Sequence, residues 1–221
     1  MCKEKYFETL KNCHLFQGLS EKTLQEALKY LRAEERSFKK GEIILHTGQE
    51  IHYAGIVLEG EIECAFQDYD FNKYNMNHFS EGDLFGETMA CLGIVKSPMQ
   101  VCAVTDCSIL LLDFRVFKEA KFECQSLLTA NLIHIFAKQN YFLNQKIRMV
   151  TQKDLRGKIF AYINSIQPDD NGNRKLPFSK TALSEFLCVN RTALSRELRK
   201  MINERILEMN GRNFLIIKKE V

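Results

Sequence analysis

Residues 178–207 read FSKTALSEFLCVNRTALSRELRKMINERIL, a stretch that predicts two short helices joined by a tight turn. Ser179 is a good N-cap residue, so the first helix is expected over residues 180–187. Three of its apolar residues recur at helical spacing: Leu183, Phe186 and Leu187. Residues 188–189 then form the predicted turn.

The second predicted helix follows Asn190, which can cap it, and has one apolar and one polar face. The predicted inward face comprises Ala193, Leu194, Leu198 and Met201. The predicted outward face comprises Arg191, Thr192, Ser195, Arg196 and Arg199. Arginine can bond guanine O6 and N7 together, and short hydroxyl side chains can reach base edges or phosphates. The pattern favours a DNA-binding helix-turn-helix, although a solvated basic face on an ordinary helix pair would look the same.

A hairpin signal follows these helices. MNGRNFLII, residues 209–217, has Asn210 and Gly211 at the turn between two short apolar runs. Two helices followed by a hairpin make a winged helix. The segment resembles the C-terminal domain of the Crp/Fnr family of bacterial transcription regulators, with VNRTALSREL at residues 189–198 matching the recognition-helix pattern. The resemblance implies base readout by Arg191, Thr192, Ser195 and Arg196, with Ser179, Lys180 and Arg199 at phosphates.

Two residues depart from the family pattern. Cys188 stands where many members have glycine, and a left-handed conformation there would cost about 1 kcal/mol. Thr192 stands three residues before Ser195, where the members named for fumarate and nitrate reduction carry glutamate. The operator sequence of those members therefore cannot be transferred to this chain.

The charge is unevenly spread along the 221 residues. Residues 1–145 carry 15 Lys and Arg against 20 Asp and Glu, whereas residues 146–221 carry 16 against 8. A compact basic domain is typical of a protein that binds the phosphate backbone. The predicted organisation is an effector-sensing domain over 1–122, a dimerisation helix over 123–150 and a DNA-binding domain over 151–221.

Neither a signal peptide nor a membrane helix is expected. MCKEKYFETL lacks an apolar core, and no later run approaches the roughly 18 apolar residues of a membrane span. We therefore expect a cytoplasmic protein whose eight cysteines are reduced, mostly as small core residues.

Strand-like periodicity characterises residues 36–114, after two predicted helices over 6–14 and 21–31, the second capped by Ser20. The predicted strands lie at 43–45, 55–58, 62–66 and 101–112. Glycines that can adopt positive φ fall at the turns: Gly41, Gly48, Gly60 and Gly82. The order resembles the cyclic-nucleotide-binding jelly roll of the same family. The expected fold class is thus α+β, with an N-terminal double-stranded β-helix, a long helix and a winged helix-turn-helix.

GDLFGETMACLGIVKSPMQV, residues 82–101, occupies the place of the family's phosphate-binding cassette. Gly86 and Glu87 match its first part, but Lys96 and Ser97 stand where the phosphate-binding arginine belongs, and no arginine occurs between Arg36 and Arg115. Lysine lacks the bidentate fork of arginine, so cyclic AMP is not the expected effector. Gly86 and Glu87 could also be a scaffold turn only. The resemblance implies an effector site at Gly86, Glu87, Thr88, Lys96 and Ser97, with Gln139, Leu143 and Asn144 from the long helix.

The cofactor stays open, since other family sensors carry iron-sulfur clusters or haem. Cys2 and Cys13 are too far apart for the usual cluster spacing, and Cys102 and Cys107 form an isolated pair. The five histidines are scattered, so a haem-dependent sensor is kept as an alternative. A catalytic cupin would gather its ligands from an H-x-H pair, which is missing, and an enzyme is not expected.

Residues 123–150 contain neither glycine nor proline and predict one long helix with two apolar stripes. The predicted dimer interface follows coiled-coil spacing through Leu128, Leu132, Ile135, Gln139 and Phe142. The second stripe comprises Ile133, Phe136 and Leu143. One stripe would pack on the chain's own roll and the other on a second chain, although burial of both within one chain is the alternative.

The next helix is expected to begin after a Thr151 cap, near Asp154 at the family's hinge position, and residues 167–177 are expected to form an exposed loop. The predicted inward residues of this helix are Leu155, Ile159, Phe160 and Ile163. The sequence thus predicts a homodimeric transcription regulator. Its expected partners are double-stranded DNA, a second copy, a small-molecule effector and, as a further candidate, RNA polymerase. The alternative from another class is a ligand-binding module that acts through a protein partner.

Overall fold

The computed structural model describes residues 4–67, 73–94, 96–118, 122–175, 180–210 and 213–217. By its internal contacts the chain divides into two compact units, Met1–Ala137 and Lys138–Val221. Each unit has its own hydrophobic core. Within the described ranges, no helix combines the length and the apolar character needed to cross a membrane.

The first unit is built on eight antiparallel strands. They are β1 (Glu34–Phe38), β2 (Ile43–Leu45), β3 (Tyr53–Glu59), β4 (Ile62–Gln67), β5 (Lys73–Phe79), β6 (Leu84–Phe85), β7 (Met99–Ala103) and β8 (Cys107–Asp113). One sheet has the order β1-β8-β3-β6 and the other β2-β7-β4-β5. The predicted jelly roll is confirmed.

Strand β3 explains why the middle of the chain reads as continuous apolar runs. Ile56 and Leu58 point into a core shared with the helices, whereas Val57 points into the core between the two sheets. Side chains alternate between the two faces of a strand, and a strand buried on both faces must be apolar throughout.

One strand prediction was wrong, and three strands were missed. Residues 101–112 are not one strand but parts of β7 and β8, separated by a turn at 104–106. A residue distant in sequence stabilises that turn, because Asp106 accepts a hydrogen bond from the Lys40 backbone N–H at 2.9 Å. Strands β1, β5 and β6 were not among the predicted strands, because polar residues hide the strand signal in β1 and β5, and β6 has only two residues.

The four predicted glycine turns are confirmed. Gly41, Gly48, Gly60 and Gly82 all have φ between 80° and 87°. Gly60 is also sterically required, since a Cβ there would collide with the carbonyl oxygen of Asp106.

The helices of the first unit are α1 (Phe7–Asn12), α2 (Glu21–Tyr30) and α3 (Glu87–Leu92), with 3₁₀ helices at Glu4–Tyr6, His14–Phe16 and Phe114–Lys118. The Ser20 cap is confirmed, since its hydroxyl accepts from the Thr23 backbone N–H at 3.2 Å. The predicted first helix is interrupted instead of running from 6 to 14.

Helix α4 (Gln125–Val150) contributes to both units and agrees with the predicted long helix. In the first unit, its Leu128 and Leu132 pack into the core that contains Leu15, Phe16 and Leu112. Its amide side chain at Asn131 donates to the carbonyl oxygens of Leu15 and Gln17, both at 2.9 Å.

The second unit adds helices α5 (Leu155–Ser165), α6 (Lys180–Phe186) and α7 (Arg191–Asn203). Its strands β9 (Arg174–Lys175), β10 (Leu207–Asn210) and β11 (Asn213–Ile216) form an antiparallel sheet in the order β10-β11-β9. This arrangement is the predicted winged helix. The hairpin residue Gly211 and the predicted cap Ser179 lie outside the described residues.

Two predictions for this unit were wrong. Asp154, not Thr151, caps α5, since its carboxylate accepts from the Gly157 backbone N–H at 2.7 Å. The Thr151 hydroxyl instead donates to the Ile147 carbonyl at 2.7 Å and so belongs to the end of α4. The loop over 167–177 contains β9, whose Arg174 pairs with Phe214 of β11. A two-residue strand has too short a pattern to be recognised in sequence.

Of the predicted inward residues of α5, Ile159 and Ile163 are buried, and Leu155 and Phe160 pack against the same core half-buried. Tyr162, which the prediction left out, is also buried in this core.

Candidate nucleic-acid interface and effector site

The turn between α6 and α7 is held by backbone hydrogen bonds. The Cys188 N–H donates to the Glu185 carbonyl at 3.1 Å, and the Val189 N–H donates to the Ser184 carbonyl at 2.9 Å. Cys188 has φ of 53°, the left-handed conformation that glycine adopts most easily. Cys188, whose thiol is exposed, therefore adopts this backbone conformation at a cost of about 1 kcal/mol relative to glycine.

The second helix of the motif begins at a well-formed cap. The Asn190 side-chain oxygen accepts from the backbone N–H of Thr192 at 2.8 Å and of Ala193 at 3.2 Å. Leu194, Leu198 and Met201 are buried as predicted. Ala193 was predicted to face inward, but it is exposed. Each residue turns a helix by about 100°, which carries Ala193 to the edge of the outward face.

The outward face of α7 is basic. Arg191, Thr192, Arg196 and Arg199 are exposed, and Ser195 is half-buried. Lys180 begins α6, and its side chain lies outside what the structure describes. Lys200 and Asn203, which the sequence analysis did not include, are also exposed on this helix. Lys200 lies four residues after Arg196 and Asn203 four residues after Arg199, and this spacing could have revealed them.

The predicted effector residues of the first unit lie around α3. Gly86 adopts φ of 76° at the start of α3, and the next residue, Glu87, is 4% exposed. Thr88 is exposed, and its hydroxyl lies 3.5 Å from a Glu87 carboxylate oxygen.

Ser97 and Lys96 differ in their surroundings. Ser97 is 2% exposed, and its hydroxyl donates to the Met99 carbonyl at 2.8 Å and accepts from the Met99 N–H at 3.2 Å. Lys96 is exposed, and its backbone forms an isolated bridge with Glu50. The Ser97 hydroxyl is thus engaged with the backbone, while the ammonium of Lys96 reaches solvent.

The interior between the two sheets is filled by apolar side chains, including Ile62, Phe85, Met89 and Val101. Two surface cavities, of about 370 and 390 Å³, lie elsewhere on the first unit. The first is lined by Gly60, Glu61, Ser80, Glu81 and Thr105. The second lies beside Tyr6, Ser37 and Ser108. Neither cavity is lined by a predicted effector residue.

The remaining predicted effector residues, Gln139, Leu143 and Asn144, belong to the second unit and are exposed on α4. The Asn144 amide donates to the Asn140 carbonyl at 2.9 Å, one helical turn earlier. The side chain of Asn144 is therefore oriented along the helix.

Helix α4 buries part of the stripe predicted as the dimer interface. Leu128 is 0% and Leu132 6% exposed within their own unit, and Ile135 packs half-buried against the same core. Leu128 and Leu132 are thus covered by their own chain and are not available to a second one, which corrects the prediction for these two residues. Gln139 and Phe142 are exposed.

Two residues of the second predicted stripe form an open stripe on α4 together with Ile147, whereas the third, Phe136, packs half-buried against the core of the first unit. Ile133 is 63%, Leu143 55% and Ile147 56% exposed. Two of these residues, Ile133 and Leu143, belong to the second predicted stripe.

Comparison with known proteins agrees with the fold. Residues 35–122 match the model of the cyclic nucleotide-binding domain. The catabolite activator protein of Thermus thermophilus is 18% identical, with a TM-score of 0.51 over 92% of this chain and 93% of that one. CprK complexed with OCPA is 17% identical, with a TM-score of 0.63 over 88% of each chain.

The regulator CLP of Xanthomonas campestris is also similar, at 14% identity, with a TM-score of 0.56 over 90% of this chain and all of that one. The chain has the fold of these three proteins. No curated protein sequence matches it at a significant level.

The cysteines bear on the question of a metal cofactor. Burial raises the pKa of the Cys64 thiol to about 12 and that of Cys13 to about 11. Both thiols are therefore protonated at neutral pH, and a thiol must lose its proton to bind a metal. Among the described residues, no three His, Cys, Asp or Glu side chains come together in a way that would hold a metal ion.

Proposed function

We propose that this chain is a homodimeric, sequence-specific DNA-binding transcription regulator controlled by a small effector bound at the β-roll. The observation that carries the proposal is the exposed basic face of α7, capped by Asn190 and following the turn at Cys188. A helix-turn-helix inserts the N-terminal residues of its second helix into the major groove, where arginine can bond guanine.

Residues of α7 divide into two proposed roles. Arg191, Thr192, Ser195 and Arg196 lie in the first two turns and are assigned to base edges. Arg199 lies further along the helix and is assigned to phosphates, together with Ser179 and Lys180. Phosphate contacts fix the register of the protein on the duplex, whereas base contacts supply the specificity.

The proposed dimer uses the open stripe of α4. Ile133, Leu143 and Ile147 are more than half exposed, and burial of such apolar surface against a second copy would be favourable. A two-fold dimer predicts a nearly palindromic site with its half-sites about one helical turn apart.

The effector is proposed to be a small molecule other than cyclic AMP. The cassette offers the exposed Lys96 where a phosphate-binding arginine is expected, and its Glu87 side chain is buried. Proteins with this fold differ in their effectors, since the similar CprK structure holds OCPA and CLP is described as responsive to c-di-GMP. Haem remains the alternative cofactor, and the absorbance spectrum of the purified protein tests it.

The test of the proposed function begins with in vitro selection from a random duplex pool by the full-length chain. Arg196→Ala should then weaken binding to the selected duplex by about 1 to 3 kcal/mol and relax its sequence preference. Arg36→Ala, which removes an exposed arginine from β1, is the charge control. Equal losses on every sequence would refute the assignment of Arg196 to base readout.

The second candidate function is a module that acts through a protein partner. It predicts no DNA affinity that depends steeply on salt concentration. DNA binding through phosphates weakens steeply as salt rises, because counterions are released. If DNA affinity is negligible at low salt, the proposed function fails and the protein-partner reading takes its place. RNA polymerase is a candidate partner of the DNA-bound dimer, and transcription in vitro from the selected site tests that contact.

A further inference from the structure

Arg156, near the start of α5, bridges two carboxylates of the recognition-helix segment. Its Nε lies 2.8 Å from Glu197 Oε1, and its Nη1 lies 2.8 Å from Glu204 Oε2. Different nitrogens of one guanidinium thus hold two separate side chains. Lysine would not reproduce this geometry, because its ammonium is a single point donor on a flexible stem and lacks the planar fork that presents Nε and Nη1 in fixed directions.

The two carboxylates are spaced along α7. Glu197 lies in the middle of the helix, and Glu204 follows its last residue, Asn203. Seven residues correspond to about two turns, or about 10 Å along the helix axis. A single anchor at two such points restricts both rotation of α7 about its axis and sliding along it.

The bridge is partly shielded from solvent. The side chains of Arg156 and Glu197 are each 22% exposed, and that of Glu204 is 38% exposed. The hydrogen bond from Arg156 is the largest influence that lowers the pKa of Glu204, and the bonds to both glutamates raise the pKa of Arg156. Fixed geometry and partial desolvation distinguish this triad from an ordinary surface ion pair, which contributes little.

The triad adjoins the proposed DNA-reading face. Glu197 follows Arg196 directly, and Arg196 is exposed on the outward side of the same helix. Arg156 neutralises a carboxylate that would otherwise stand one residue from a proposed base contact. Its loss would both loosen α7 and leave negative charge beside the DNA.

We infer that Arg156 is a positioning residue for DNA recognition, which holds α7 through Glu197 and Glu204 in the orientation that base readout requires. The inference rests on the proposed function. Base contacts depend on the position of the helix, because hydrogen bonds weaken steeply with distance and angle. Attraction to the phosphate backbone depends mainly on net charge and tolerates a displaced helix. Removal of the triad should therefore reduce specific binding more than non-specific binding.

The experiment measures the affinity of the full-length chain for two duplexes by fluorescence anisotropy. One is the duplex obtained by in vitro selection with the wild-type chain, and the other is a scrambled duplex of the same composition. The test variants are Arg156→Gln, Arg156→Lys and the double variant Glu197→Gln with Glu204→Gln. Arg36→Gln is the control, because it removes the same charge and an ion pair, with Glu34, from the first unit.

Arg156→Gln should weaken binding to the selected duplex about tenfold and binding to the scrambled duplex less than about twofold. Arg156→Lys preserves the charge, yet it should still lose specificity, because a flexible ammonium does not fix the two carboxylates as the planar guanidinium does. The double glutamine variant removes negative charge, yet it should also lower the ratio of specific to non-specific affinity. Arg36→Gln should leave that ratio unchanged.

An unchanged ratio in Arg156→Lys and in the double glutamine variant would overturn the inference and leave the proposed function intact. Equal losses on both duplexes would also overturn it, because they would show that Arg156 contributes only its positive charge and does not position α7. If selection with the wild-type chain recovers no preferred sequence, the proposed function itself fails, and the inference fails with it.

Discussion

The ring of Phe186 on α6 lies 6.1 Å, centroid to centroid, from the ring of Phe142 on α4. Tyr162 of α5 meets the same ring edge-on at 5.4 Å, and Lys146 Nζ lies 5.0 Å from its centroid. Phe186 therefore joins three helices of the second unit. Phe142, assigned from the sequence to the dimer interface, has a partner in its own chain.

Phe142→Leu should lower the free energy of unfolding of the second unit by about 1 kcal/mol, since an aromatic pair contributes about 0.5 to 1.5 kcal/mol beyond its buried area. Chemical denaturation measures the loss, and a double-mutant cycle with Phe186→Leu isolates the pair. Tyr141→Leu is the control, because Tyr141 is the neighbouring aromatic residue and is 67% exposed. Additive losses in the cycle would show that the two rings do not stabilise each other.

Ile133→Asp combined with Ile147→Asp should convert the proposed dimer to a monomer. The two residues share the open stripe of α4, and a buried carboxylate in an apolar interface is costly. Light scattering after size-exclusion chromatography gives the mass. His134→Asp, an exposed change about 100° around the helix, should leave the dimer intact. A dimer that survives the double substitution would exclude this stripe as the interface.

Asp113 should make the free energy of unfolding of the first unit depend on pH in the acidic range. Its buried carboxylate accepts from Arg115 Nη2 at 2.7 Å and Nε at 2.9 Å and from Arg32 Nη1 at 3.3 Å. These hydrogen bonds, chiefly from Arg115, hold the pKa of Asp113 below its usual value. The unfolded chain then binds this proton more readily, so the stabilisation is present above about pH 4 and is lost as the pH falls below it.

Asp113→Asn should therefore destabilise the chain by about 2 kcal/mol at neutral pH and by progressively less as the pH falls toward about 3. Urea unfolding followed by circular dichroism at several pH values gives the difference. Other carboxylates titrate equally in both proteins and cancel. A difference that does not change with pH would contradict the role of the Asp113 charge.

Gly60→Ala and Gly41→Ala separate backbone strain from steric collision. Both glycines have positive φ, 87° and 85°, so alanine should cost about 1 to 2 kcal/mol at either. A Cβ at Gly41 meets nothing within 4 Å, whereas one at Gly60 collides with the Asp106 carbonyl. Gly60→Ala should therefore cost at least about 1 kcal/mol more than Gly41→Ala in thermal unfolding. Equal losses would mean that the turn at 104–106 yields easily.

The sequence alone was sufficient for features whose causes lie within a few residues. Asn190 and Ser20 cap their helices through N–H groups two or three residues ahead. Positive φ at Gly41 or Gly60 follows from the turn in which each glycine stands. The basic face of α7 follows from helical periodicity, since the exposed residues Thr192, Arg196 and Arg199 recur at four- and three-residue spacing.

Features that depend on distant residues required the tertiary structure. Helical periodicity predicted two apolar stripes on α4 but not which of them the β-roll would cover. In the structure, Leu128 is buried in the same core as Leu15. The bridge from Arg156 to Glu204 joins residues 48 positions apart, and charged residues at such separation carry no local pattern. The sequence by itself thus determined helices α2, α4 and α7, the Ser20 and Asn190 caps and the chemical character of the reading face. Only the tertiary structure decided which surfaces are covered and what holds α7 in place, because burial and long-range ion pairs depend on how distant segments meet.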